Sequence, residues 1–382
     1  MHVGTVELHN FRTYELLNLE LSVGVNVLVG PNGVGKTNIV EALGYVSTLS
    51  SHRVSADLPL VRSGSPNAVV RVEVIRNSRA AITEIEITPG RANRVQIQGS
   101  PAKPRDVVGN LRSVVFAPED LVLVKGDPSD RRRFIDDLLV QRAPRYAEIR
   151  TDYERIVRQR TALLKSLAGA RRGRPVPPEA ESTLAVWNGH LATTGASLMF
   201  GRLSLLDEVG PLFGIAYEQV ASGKSAEIGY LARSLGPEVT DNDLPRDRTQ
   251  LESILMNQLD NRRTDEIDRG MTLVGPHRDD LTMTINNLPA KGYASHGECW
   301  SLALALRLGS FELMRKLDDG AGDPLLCLDD VFAELDHDRR NALAAVAATA
   351  EQVVVTAAVA DDVPRILTGQ RFTVAPGRVT HD

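Results

Sequence analysis

The nine residues "GPNGVGKTN", Gly30 to Asn38, constrain this chain more than any other stretch. They lie between an apolar run, "VNVLV", and a helical pattern, "TNIVEAL". Gly-x-x-x-x-Gly-Lys-Thr in that position predicts a strand, a phosphate-binding loop and a helix, the entry to an α/β fold. Gly30, Gly33 and Gly35 let the backbone turn N–H groups inward across Pro31, Asn32 and Val34. The helix N-terminus beyond them adds a dipole that favours anions. Lys36 is placed to bridge the terminal phosphates of a nucleotide, and Thr37 to coordinate Mg²⁺.

Such a loop requires a second acid for the metal, and "LLCLDD" supplies one. An apolar strand delivers Asp329 to its carboxyl end, where ligands sit in open α/β sheets. Asp329 is expected to hold Mg²⁺ through its water shell, and Asp330 to orient or deprotonate the attacking water.

Strand signals open the chain at residues 3–8 and 25–29. The alternation in "AVVRVEVIR" and "AITEIEIT" predicts a half-exposed antiparallel sheet. From Ser129 to about Ala168 the pattern turns helical. Tyr146, Ile149, Tyr153, Ile156, Arg160, Leu163 and Leu167 form a stripe along about 33 Å of helix. "GARRGRPVPPE" breaks it, and Leu184, Trp187, Leu191 and Leu198 mark a returning partner. "AEIGYLA" reads as a strand, residues 248–263 as a helix, and "PLLCL" and "QVVVTA" as buried strands.

Net charge is −5, yet residues 131–174 carry thirteen Lys and Arg against five Asp and Glu. A local excess of +8 in an acidic chain predicts a basic face able to track phosphates. The two cysteines, Cys299 and Cys327, exclude a disulfide framework and a four-cysteine zinc site. The opening residues lack the uninterrupted apolar core of a signal peptide, and the most apolar stretch, from Ala342, is shorter than a bilayer span. A cytoplasmic location with no membrane partner is expected.

"ASHGE" has the form of the ABC ATPase signature, a Ser-x-Gly turn that opens a helix 34 residues before Asp329. In that class Ser295 and Gly297 would face the ATP bound on an opposite subunit, and "AELD" after Asp330 would cross the same interface. From Lys36 to Ser295 is 259 positions, too many for a transporter ATPase and too few for a long SMC coiled coil. Together with "NFRTY", "SSHRVSADLPLVR", "FAPEDLVLVKGDPSDRRRFID", "LVGPHRDDL" and "LLCLDDVFAELD", the pattern resembles the RecF family along nearly the whole chain. "SHGECWS" departs from the family's usual Ser-Gln-Gly-Gln and is similar to the form of actinobacterial members, which leaves the contacts of His296 and Glu298 open.

The resemblance implies an α/β ABC-type ATPase head, split in sequence into residues 1–125 and 268–382, with an inserted, mainly helical arm over 126–267. It implies ATP and Mg²⁺, an ATP-dependent homodimer, and binding to double-stranded DNA beside single-stranded gaps. RecR, with RecO, is the implied partner, and RecA the protein loaded. In ABC-type heads, arginines placed like Arg12 and Arg53 reach the phosphates or form surface ion pairs. Glu119 and Asp120 fall in the Q-loop region, as metal-contacting groups or as a turn. Thr356 stands where transporter ATPases carry a switch histidine, so slow hydrolysis is expected. The rival readings are an SMC-type chromosome-organising head and a transporter-type ATPase. "GPHRDD" could suggest a metal site, but a lone histidine there favours a hydrogen-bonded corner.

Overall fold

Strands that are buried on both faces read as continuous apolar runs, and this chain has several. The computed structural model describes residues 1–54, 56–171, 177–221, 223–317, 320 and 322–382. In it, Gly24–Val29 lies inside a six-stranded sheet in the order Arg378–His381, Gly369–Ala375, Gly24–Val29, Gln352–Ala357, Leu325–Asp329 and Ser113–Phe116. All neighbours are parallel except the edge hairpin Gly369–Ala375 and Arg378–His381. Every residue of Leu325–Asp329 and of Gln352–Ala357 is buried, which accounts for "LLCLD" and "QVVVTA". Asp329 is in register with Thr356, and Ala357 with Val29. Three neighbouring strands therefore present the glycine loop, Thr356 and Asp329 at the same edge of the sheet.

The second sheet is antiparallel, in the order Tyr14–Glu20, His2–Phe11, Ala68–Arg76, Arg79–Ile87, Arg94–Ile97 and Ser100–Ala102. Its alternation is the expected one: Val70 and Val72 are fully buried, while Arg71 is part-exposed and reaches Glu7, its cross-strand neighbour, at 3.5 Å. The inner faces of both sheets share one core with the helix Lys36–Thr48.

Two compact units result. One comprises residues 1–125, 211–226 and 291–382; the other comprises 126–210 and 227–290. Residues 211–226, expected in the arm, group with the first unit. Gly309 of the helix His296–Arg315 explains why, because a Cβ there would stand 2.9 Å from the backbone nitrogen of Phe213. Residues 268–290, expected with the head, group with the second unit. There Asp280–Ile285 pairs with Ala226–Leu231 in a three-stranded sheet, and Asp280 binds Arg131.

The second unit also corrects one expectation and divides the basic run. The helical run from Ser129 is two helices, Pro128–Arg142 and Tyr146–Arg171. Pro144 separates them, because the residue before a proline is driven out of helical geometry; Ala143 is extended, at φ −146° and ψ 90°. More consequentially, the basic run is not one continuous surface. Arg131 donates to Asp280 at 2.7 and 3.0 Å, and Arg160 to Glu266 at 2.5 Å and Asn188 at 2.9 Å, all buried. Such pairs hold a fold together, since removing one partner strands a buried charge. Residues 172–174 of the run lie outside the described residues.

The stripe predicted for the second of these helices is largely inside: Tyr146, Tyr153, Ile156, Arg160 and Leu167 are buried. Leu184 of the helix Pro178–Val220 packs against Leu164 and Leu167. "GPHRDD" forms a hydrogen-bonded corner. His277 contacts Tyr153 and the Thr272 carbonyl, and Asp279 accepts from Tyr230 and Ser234.

Candidate nucleotide-binding site

Residues Gly30 to Gly35 turn from the strand Gly24–Val29 into the helix Lys36–Thr48 as the spacing predicts. Gly35 is the helix N-cap at φ 114°, a conformation that side chains rarely adopt; a Cβ there would also meet the Thr13 hydroxyl at 2.9 Å. Gly33, at φ 83°, lies exposed with open space around it. Val34 anchors the loop by packing into the core, while Pro31 and Asn32 are exposed. Asn38 fixes the first helical turn by donating to Thr13 at 2.8 Å.

Lys36 is almost wholly buried, and its ammonium donates to the Gly30 carbonyl at 2.8 Å and to Pro31 at 3.3 Å. It also stands 3.6 Å from an Asp330 carboxylate oxygen. Thr356 donates to Asp329 at 2.6 Å, and Thr37 donates to the same oxygen at 3.1 Å. Burial, with the neighbouring Asp330 as a further cause, raises Asp329 to about 6. A bare carboxylate is thus costly here and a cation would offset the cost.

Asp330 sits at φ 51°, in the left-handed region. The Thr356 hydroxyl holds it there by accepting the Asp330 N–H at 2.9 Å. One Asp330 carboxylate oxygen is buried with no hydrogen-bond partner among the described residues. An orphaned carboxylate oxygen, an ammonium and two hard oxygens side by side fit a triphosphate with Mg²⁺, which takes one or two protein oxygens and completes its shell with phosphates and water. No group of three or more His, Cys, Asp or Glu side chains among the described residues could hold a metal alone.

Arg12 and Arg53 converge on Glu41, a fully buried acid that the sequence reading passed over. Arg12 donates to Glu41 at 2.7 and 2.5 Å, Ser51 donates to it as well, and Arg53 stands 3.8 Å away. A lone acid inside the apolar helix "NIVEALGYV" was the available signal. Arg53 also reaches Glu119 at 3.4 Å. Asp120 is a turn residue instead, capping Ala117 and receiving Arg307 at 2.5 Å.

Among the described residues, no hydrogen bond brings Ser295 to the loop. It caps the helix His296–Arg315, accepting from the Glu298 N–H while Glu298 accepts from Ser295 in return, a reciprocal box that satisfies two orphan donors. Gly297 faces Arg339, whose guanidinium would lie 3.3 Å from a Cβ. The two variant positions acquire definite contacts. Glu298 takes Lys224 at 2.6 Å, which lowers its carboxyl to about 2. Lys125 donates to His296 at 3.1 Å, so that ring nitrogen must accept. Cys299 and Cys327 are free and buried. No helix among the described residues is long and apolar enough to cross a membrane.

A glycine loop on a parallel sheet, a neighbouring strand ending in two acids and a Ser-x-Gly helix cap define an ATPase head of the ABC/SMC type. A family model described as the RecF/RecN/SMC N terminal domain matches residues 2–366. DNA replication and repair protein RecF of Frankia alni is 53% identical over 380 residues, covering 99% of both chains. That of Streptomyces avermitilis is 51% identical over 382 residues, again covering 99% of each. Among solved structures, the recombination mediator protein RecF-ATP in the RecFOR pathway superposes with a TM-score of 0.87 at 26% identity, covering 100% of this chain and 97% of that one. An Smc head domain from Pyrococcus furiosus shares the fold at a TM-score of 0.53 and 14% identity, covering 100% of this chain and 96% of that one. The chain belongs to the RecF family of DNA replication and repair proteins.

Proposed function

We propose that this protein is an ATP-dependent clamp on duplex DNA beside single-stranded gaps and stalled forks, and that with RecO and RecR it helps load RecA. The observation that carries the reading is the junction of Lys36, Thr37, Asp329 and Asp330 around the glycine loop, joined through Thr356. Relatives solved with ATP and placed in the RecFOR pathway support it.

In this reading the N–H groups of Gly30 to Asn38 cradle the phosphates and Lys36 neutralises the terminal ones. Thr37 and Asp329 would hold Mg²⁺, which when bound would withdraw charge from the phosphate oxygens. Asp330 orients the attacking water and accepts its proton. Arg12 and Arg53 are tethered by Glu41 until phosphate oxygens compete for them. The first unit acts as the ATPase head and the second as its arm. Hydrolysis is slow, because Thr356 has no basic nitrogen to offer and Asp330 is a short acid, and DNA stimulates it. Ser295 and Gly297 face the ATP of a second copy, so two ATP molecules are sandwiched in a homodimer in the cytoplasm.

Ser295→Arg tests the trans arrangement. The isolated monomer should bind ATP with wild-type affinity, yet ATP should no longer drive dimerisation, because a bulky cation fills the other copy's phosphate pocket. Equal loss of ATP binding by the monomer would return Ser295 to a purely capping role.

A further inference from the structure

One cleft of the second unit is lined by two arginines, Arg132 and Arg158, that form no ion pair among the described residues. The cleft encloses about 350 Å³ between the helices Pro128–Arg142, Tyr146–Arg171 and Pro178–Val220. Its two acids are already taken. Asp136 receives Arg202 in a two-pronged pair at 2.7 and 2.8 Å, and Glu154 receives Arg150 at 3.2 Å. Arg132 donates to a backbone carbonyl, that of Asp279, at 2.8 Å. No carboxylate forms an ion pair with Arg132 or Arg158 among the described residues. Burial, followed by the like charge of Arg202, lowers the Arg132 guanidinium against the opposing pull of Asp280, Asp279 and Asp136, each of which already accepts hydrogen bonds from other side chains. His277 adds no charge, since burial lowers it to about 4 and both ring nitrogens are engaged.

We infer that this cleft seats one backbone phosphate of DNA, with Arg132 and Arg158 as the two cations on its oxygens. The inference rests on the DNA-clamp reading and sharpens it: two arginines, not the whole basic run, make this contact. A guanidinium offers a planar fork that matches two phosphate oxygens, and two of them can grip one phosphate from different directions. Val157 and Leu198 add apolar surface to the lining, against which a sugar edge could rest.

The test is DNA binding by the full-length protein with ATP, measured across a salt series. Each lost phosphate contact should flatten the plot of log affinity against log salt by about 0.9. Arg158→Gln and Arg132→Gln should each show that change, and the double variant twice as much. Arg158→Lys should retain the wild-type slope. So should Arg155→Gln, on the same helix but paired with Asp152 at 3.1 Å. Arg158 is exposed, so its variant should keep the wild-type unfolding midpoint. Wild-type slopes in both glutamine variants would overturn the cleft assignment while leaving the DNA reading intact. A wild-type protein that bound no DNA at any salt would remove both. Displacement of DNA by inorganic phosphate beyond that caused by chloride at equal ionic strength, lost in the double variant, would reassign the cleft to free phosphate.

Discussion

Lys36→Ala is expected to weaken ATP binding by roughly 10- to 150-fold, the equivalent of about 1.5–3 kcal/mol for a charged hydrogen bond. The ammonium is held by the Gly30 and Pro31 carbonyls at the mouth of the loop, so its position is fixed in advance. Alanine removes the one cation that pairs with Asp330 among the described residues, leaving that acid to repel the terminal phosphate. Both effects act in the same direction. Equilibrium titration with a fluorescent ATP analogue measures the loss, and matched unfolding midpoints exclude a folding defect. Wild-type affinity in this variant would mean that the loop does not bind the triphosphate.

Asp330→Asn should act on turnover instead. General-base and water-positioning groups contribute about 10²–10⁴-fold, and asparagine keeps the shape while losing the ability to accept a proton. The substitution suits the backbone, because Asn tolerates the left-handed conformation that Asp330 adopts at φ 51°. The N–H bond from residue 330 to Thr356 remains available as well. Single-turnover hydrolysis should therefore fall by that factor with ATP affinity preserved and the ATP-bound dimer prolonged. Asp329→Asn should differ, weakening the Mg²⁺ dependence of binding itself, since Asp329 shares its oxygen with Thr37 and Thr356. A wild-type rate for Asp330→Asn would direct attention to Glu119 or Glu334.

Much of this site was legible in the sequence because its parts are local. A glycine loop between strand and helix, and an apolar strand ending in two acids, encode their geometry within a few residues of each other. Three things were not legible, each for a physical reason. Glu41 lies on a helix whose neighbours are apolar, and its two arginine partners come from other segments. Thr356 could be read only as the absence of a histidine; its hydroxyl acquires meaning from the parallel register that sets it beside Asp329. The division of the basic run was hidden because a count of charges cannot distinguish a surface arginine from Arg131 or Arg160, whose acids lie more than a hundred residues along the chain. The interruption at Pro144 was visible and was outweighed by the helical pattern on either side.

The central claim is that ATP joins two copies of this head into a clamp that DNA stabilises. Light scattering on a sizing column measures it directly, with and without Mg²⁺-ATP and with and without gapped duplex DNA. The account predicts a monomer without nucleotide, a dimer with ATP, and a dimer that persists longest when both ATP and gapped DNA are present. A mass that stays monomeric under every one of these conditions, in a protein that binds ATP, would contradict it.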